Sequence, residues 1–265
     1  MVIAVSIVRA RENPAIWWVA LGHLLLLILL LLFQTPNLGR FGRTARTVAP
    51  IVLLLALYGA LDVINGFGSR PTHDAIVQGA EQALFGMQVS HRWWQLAPSR
   101  LASAIGHAAY FGYYVIVPFP IALFLLRHDQ AAARRSVFTI VTAFVFCYLW
   151  FIFFPVAGPY YVFPRPAAWF TANLPARMVY GMLSGGSSFG AAFPSSHVAG
   201  TWAAVAATAR ETPGWGALLA LPALLLTVGV VYCQMHYGVD AIAGLGVAAL
   251  AIVISTRVDR TAPAS

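Results

Sequence analysis

Apolar runs long enough to cross a bilayer repeat along this chain and leave room for little else. They cover residues 16–33, 48–64, 101–126, 137–154, 196–209, 215–232 and 239–256. About 20 helical residues at roughly 1.5 Å each span a hydrocarbon core, and a helix satisfies its own backbone polar groups there. Charged residues make up only 9% of the chain, where a soluble domain carries about 25%. The runs predict an all-α, polytopic membrane helix bundle: a six-helix core, one extra N-terminal span and an interfacial helix. The expected division is residues 1–65 as N-terminal spans and 66–265 as the main unit, within one integrated membrane domain.

The segments between the runs refine this picture. The first run has no A-x-A-like cleavage site after it in QTPNLGR, so it is expected to stay as a span. Within the polar stretch 66–99, AIVQGAEQALFGM has helical spacing of apolar residues, and Trp93-Trp94 resembles an interfacial anchor. Together they predict a short helix on the membrane surface. Pro118 and Pro120, late in the third run, predict a kink. The run 196–209 is short and rich in small residues, which predicts close packing inside the bundle. Residues 155–194 read as one long, proline- and aromatic-rich irregular loop, of the kind that carries function.

All 16 basic residues are arginine, and they flank the runs. Nine (Arg40, Arg43, Arg46, Arg127, Arg134, Arg135, Arg210, Arg257 and Arg260) fall on one side and seven (Arg9, Arg11, Arg70, Arg92, Arg100, Arg165 and Arg177) on the other. The positive-inside rule makes the first side cytoplasmic. No basic stripe or recognition module is present, which excludes nucleic acid as a partner. Cys147 and Cys233 lie in or beside apolar runs without metal-ligand spacing and read as small core residues, with a disulfide left open.

Two polar clusters stand out, and the span count puts both on the outer side. In FPSSH, residues 193–197, Pro194 ends what precedes it, and Ser195 or Ser196 can cap the helix that follows. The free N–H groups of that first turn make an anion site beside His197. In HYGVD, residues 236–240, His236 and Asp240 share a face if the helix is continuous. Asp240 can then fix the His236 tautomer and leave the other ring nitrogen as a nucleophile. A capped helix with an interfacial His–Asp pair, or a metal site without a clear third ligand, are the competing readings. Arg165 and Arg177 supply cations that can hold phosphate oxygens. The set reads as phosphoryl transfer without a metal. Residues 186–190, GSSFG, fit the G-x-S-x-G of a hydrolase elbow around Ser188, but no strand precedes them, and they read as a flexible Gly/Ser turn.

The spacing of FPSSH and HYGVD, 39 residues from His197 to His236, resembles the type 2 phosphatidic-acid phosphatase (lipid phosphate phosphatase) superfamily, over roughly residues 78–249. Its motifs are K-x6-R-P, P-S-G-H and S-R-x5-H-x3-D. Arg165-Pro166 matches the end of the first, but Gly158 stands where the Lys belongs. Ser196 replaces Gly in the second, and Gly229 and Val230 replace Ser-Arg in the third. FPVAGPYY, FPSSH and HYGVD are most similar to the inositol phosphorylceramide synthase-like branch. The resemblance implies a phosphohistidine on His236, oriented by Asp240, with His197 as acid and then base. Ser195, Ser196 and Arg165 or Arg177 would bind phosphate. It implies no metal and no organic cofactor. The expected substrate is a lipid phosphate or polyprenyl pyrophosphate, and the expected location is the cell membrane with the site facing outside. Phosphatase and phosphotransferase share this chemistry, so both stand. A non-catalytic membrane transporter or lipid-binding protein is the alternative.

Overall fold

The computed structural model of the chain describes residues 2–9, 14–32, 39–66, 71–186 and 188–261. Arg11, Arg70 and Ser187, which the sequence places in connecting segments, lie outside them. The described residues are overwhelmingly helical, with one isolated parallel bridge between Val156 and Ala191. Five helical spans are long and apolar enough to cross a membrane: Phe41–Ile64, Arg100–Leu126, Gln130–Phe153, Pro213–Tyr232 and Gly238–Arg260. The protein is a multi-pass membrane helix bundle.

The chain begins with α1 (Val2–Arg9), α2 (Ile16–Leu32) and α3 (Gly39–Ile64). The α2 helix is apolar throughout but only 17 residues long. The guanidinium of Arg9 donates to the Ile64 carbonyl at 2.8 Å and the Ile152 carbonyl at 3.0 Å, satisfying two helix C-termini with one side chain. Helices α6 (Arg100–Ile116) and α7 (Phe119–Leu126) form one interrupted span, broken at Val117-Pro118 where the proline predicts it. Next comes α8 (Gln130–Phe153).

The helix at the centre is α12 (Ser196–Glu211), packed against α6, α8, and two later helices, α13 (Pro213–Tyr232) and α14 (Gly238–Thr261). Its Ala, Gly and Thr residues are mostly buried, so neighbours approach closely, as its composition predicts. At the arginine-rich end, Arg135 pairs with Glu211 and Arg210 with Asp259, tying α8, α12 and α14 together. At the opposite end, α12 and α14 begin while α3, α8 and α13 finish. Both polar motifs lie at that end.

The stretch AIVQGAEQALFGM forms the short helix expected of it, α4 (Asp74–Phe85); Trp93 and Trp94 belong to a second helix, α5 (Val89–Leu96), set off at Gly86, which takes φ +71°. Trp94 donates from Nε1 to Gln234 Oε1 at 3.1 Å and Trp93 packs edge-on against Tyr232, so the tryptophans dock α5 on the turn after α13. One expectation needs correction: residues 155–194 are not simply irregular. They contain α9 (Pro159–Val162), α10 (Ala168–Thr171) and the 13-residue α11 (Leu174–Gly186). The reason was visible locally. Asn173 caps α11 by accepting the Ala176 N–H at 2.9 Å, and Ala176, Val179 and Leu183 recur at helical spacing on its inner face.

Candidate active site

The α12 N-terminus is built as FPSSH predicts. Ser195 is the N-cap, its Oγ accepting the Val198 N–H at 3.4 Å and its carbonyl the Ala199 N–H at 3.0 Å. The N–H groups of Ser196 and His197 are left without an intrahelical acceptor. Ser195 also donates its own N–H to the Asp240 carbonyl at 3.0 Å, a direct link between the two motifs.

HYGVD does not form the continuous helix on which a shared face for His236 and Asp240 depends. Helix α13 stops at Tyr232, residues 233–237 form a turn, and α14 starts at Gly238. The turn closes on α13, with the Val230 carbonyl accepting the His236 N–H at 2.9 Å. His236 therefore precedes the helix that carries Asp240. The two remain close, with His236 Nδ1 3.4 Å from Asp240 Oδ2. The nearer acceptor for Nδ1 is the Ala192 carbonyl at 3.0 Å. A carbonyl cannot donate, so Nδ1 carries the hydrogen, and in a neutral ring Nε2 is then the lone pair. His197 Nδ1 lies 3.3 Å from that Nε2 and must be the donor in the contact. Hydrogen-bond logic thus leaves the His236 Nε2 lone pair facing the His197 Nδ1–H.

The His197 ring is held between Tyr110 and Tyr113 of α6, each centroid 4.6 Å away. A cavity of about 40 Å³ opens against the two histidines. Its wall includes Tyr58 of α3, Tyr110, Tyr160 and Tyr161 of α9, Ala157 and Ala192. Among the described residues no arginine lines it. Arg165 is exposed, its guanidinium donating to Tyr160 Oη at 3.0 Å and stacked over the rings of Tyr160 and Tyr180. It stands one side chain behind the wall. Arg177 is exposed on α11, away from the cavity lining.

Comparison of the sequence with protein-family models matches the PAP2 superfamily over residues 75–254. The chain belongs to the PAP2 superfamily. No match to it was found among curated proteins or among solved structures. The superfamily match runs from α4 into α14 and contains every candidate site residue read from the sequence (Arg165, Arg177, Ser195, Ser196, His197, His236 and Asp240), while the wall residue Tyr58 lies before it.

For this PAP2 member the geometry explains two departures from the superfamily motifs. Gly158 adopts φ +90°, and a Cβ there would come 2.7 Å from Ala192 Cβ, so a lysine does not fit this backbone. Val230, at the position of the motif arginine, is fully buried in α13. The G-x-S-x-G match is structural. Ser188 donates from Oγ to the Tyr58 carbonyl at 2.7 Å, and Phe189 N–H is held by Asp62 Oδ1 at 2.5 Å, fastening this segment to α3. Cys147 and Cys233 are both free and buried. His107 is buried, with Nδ1 2.7 Å from the Ser103 carbonyl and 3.4 Å from Cys233 Sγ, a packing role.

Two carboxylates near the site escaped the sequence reading. Asp74 accepts the N–H groups of Ala157 at 2.9 Å and Gly158 at 2.8 Å and the Tyr237 hydroxyl at 3.0 Å. Glu81 accepts the Ser90 N–H at 3.2 Å and the Val239 N–H at 3.3 Å, capping α5 and α14 together. Burial raises the Glu81 carboxyl above its ordinary value against the opposing pull of these N–H groups. The available signal was the spacing of Asp74, Val77, Gln78 and Glu81 along one helical face.

Proposed function

We propose that the chain is a membrane-embedded lipid-phosphate phosphatase or phosphotransferase that works through a phosphohistidine on His236. The observation that carries this reading is the forced tautomer: Nδ1–H is committed to the Ala192 carbonyl, and the Nε2 lone pair faces the His197 Nδ1–H inside the tyrosine-walled cavity. Membership of the PAP2 superfamily supports the same chemistry.

In the first half-reaction His236 Nε2 attacks phosphorus. The P–N bond forms, the bond to the leaving oxygen breaks, and that oxygen takes the proton from His197. The phosphoryl group enters between the two rings, so their direct contact opens as substrate binds. Asp240, beside Nδ1, offsets the positive charge that grows on His236. In the second half-reaction His197 takes a proton from water or an alcohol, whose oxygen attacks phosphorus as the P–N bond breaks. The N–H groups of Ser196 and His197 at the α12 N-terminus, with the Ser195 and Ser196 side chains, hold the phosphoryl oxygens. Arg165, fixed by its aromatic partners, or Arg177 supplies longer-range positive charge. Residues 66–265 would act as the catalytic unit, with α3 closing one wall of the site.

The arginine asymmetry supports a cavity at the outer face of the cell membrane. The likeness of FPVAGPYY, FPSSH and HYGVD to the inositol phosphorylceramide synthase-like branch, with Tyr160 and Tyr161 covering the cavity, favours an alcohol over water as acceptor. The test offers the purified protein phosphatidic acid or a polyprenyl pyrophosphate without added metal. Removing an acid–base group costs about two to four powers of ten, so His236→Ala and His197→Ala should lower turnover by at least about a hundredfold. A phosphoryl mass increment trapped on His236 is the positive sign. Phosphate release by both variants at the intact protein's rate overturns the assignment.

A further inference from the structure

Helix α4 has its polarity reversed relative to a water-facing surface helix. Its two charged residues, Asp74 and Glu81, are turned inward and buried. Its outer face carries Ile76, Ala80, Ala83, Leu84 and Phe85, all exposed, and no charge. A face like that suits the acyl boundary of a bilayer and continues the apolar belt of the spans. It leaves the acidic face to do work inside the protein.

That inner face meets the segments around His236: residues 157–158, Tyr237 and the first turn of α14. Asp74 holds Ala157, a wall residue of the cavity, and Gly158, which abuts Ala192, the acceptor of His236 Nδ1–H. The same carboxylate accepts the Tyr237 hydroxyl, to which Gln78 Nε2 donates at 2.9 Å. Burial, with the Asp74 charge adding to it, raises the Tyr237 phenol above its ordinary value and keeps it a donor. Tyr237 sits directly after His236 and gives its N–H to Asp240 Oδ2 at 2.8 Å. No other hydrogen-bond donor reaches Oδ2, apart from the 3.4 Å approach of His236 Nδ1, and Oδ1 is buried with no partner among the described residues. The direction of the Asp240 carboxylate therefore depends on where Tyr237 is held.

We propose that Asp74 is a positioning residue for His236: through Tyr237 it sets the orientation of Asp240, and through residues 157–158 it supports the strand-like segment whose Ala192 carbonyl fixes the His236 tautomer. Glu81 does the same for the first turn of α14. This rests on the reading of His236 as the nucleophile.

The test uses the full chain in lipid nanodiscs, with Asp74→Asn, Tyr237→Phe and the double variant. An amide at 74 keeps one acceptor oxygen and puts an NH2 donor in place of the other, against a donor that Asp74 now accepts from. Displacing a supporting group by a fraction of an ångström costs about ten- to a hundredfold in rate, so each single variant should lower kcat on phosphatidic acid by about that factor, with KM changed less than about threefold. Because the Tyr237 hydroxyl acts through Asp74, Asp74→Asn already removes what Tyr237→Phe removes, and the double variant should be no slower than the slower single. A second readout does not need turnover. In ¹⁵N-histidine spectra the His236 signals, identified by their loss in His236→Ala, should show Nδ1–H in the intact protein and a mixture of tautomers in Asp74→Asn and Tyr237→Phe. Additive losses in the cycle, or an unchanged His236 tautomer with the loss confined to the folded fraction, overturn the proposal. If His236→Ala retains turnover while the tautomer still responds to Asp74→Asn, the positioning stands and the nucleophile assignment fails.

Discussion

Gly244, six residues past Gly238 on α14, gives the sharpest test of how tightly the two motifs must dock. A Cβ built there would lie 2.6 Å from the Ser195 carbonyl oxygen and 3.1 Å from Val198 Cβ. Ordinary contact starts at 3.4 Å, so Gly244→Ala asks α14 to move by about 0.8 Å away from a backbone atom that cannot swing aside. The contact sits beside the Ser195 N–H to Asp240 carbonyl bond, so the displacement falls on the relation between Asp240 and His197. Overpacking of this kind costs about 1–3 kcal/mol of stability, and a misplacement near 1 Å costs about a hundredfold in rate. Gly246, two residues on, is the internal control. It is exposed and nothing lies within 4 Å of its built Cβ, so Gly246→Ala should stabilise by up to about 1 kcal/mol through helix propensity and leave kcat untouched. Both variants would be assayed for phosphate release and for thermal unfolding in the same detergent. Equal kcat and equal Tm in Gly244→Ala and Gly246→Ala would refute the docking argument.

Ser188→Ala should lower kcat by less than about tenfold and cost about 1 kcal/mol of stability, since the hydroxyl is committed to the Tyr58 carbonyl; a loss as deep as that of His236→Ala would restore Ser188 as a nucleophile. Glu81 gives a pH signature. Its carboxyl is raised in the folded protein, so the folded state binds the proton more tightly than the unfolded chain, and the associated stability is present below the ordinary glutamate range and lost as pH rises through the raised value. Glu81→Gln cannot titrate, so its Tm relative to the intact protein should climb with pH across that window; a pH-independent difference would count against the burial argument.

The architecture was legible because a bilayer admits few solutions: each apolar run had to become a helix, and α2, α3, α6, α8, α12, α13 and α14 fall where the runs do. The meeting of His197 and His236 was legible for a related reason. Histidine and aspartate at the ends of apolar runs need partners, and the span count allowed the two clusters to meet. What stayed hidden was everything decided by packing between distant segments. Gly244 is one of 22 glycines and gives no local sign that it faces the Ser195 carbonyl. His236 and Asp240 would share a face only on a continuous helix; that the helix starts instead at Gly238, with its Val239 N–H held by a glutamate 158 residues earlier, is a tertiary fact. The role of the α4 acids stayed hidden for a more general reason. Nothing local shows that Asp74 and Glu81 turn inward to serve backbone N–H groups, with an uncharged face outside. In a membrane protein an isolated charge at the bundle end is better matched first to the unsatisfied backbone donors of nearby helix starts. Asp74 and Glu81 would have been found by that rule, since residues 157–158, 90 and 239 all sit where helices begin and N–H groups lack carbonyl partners.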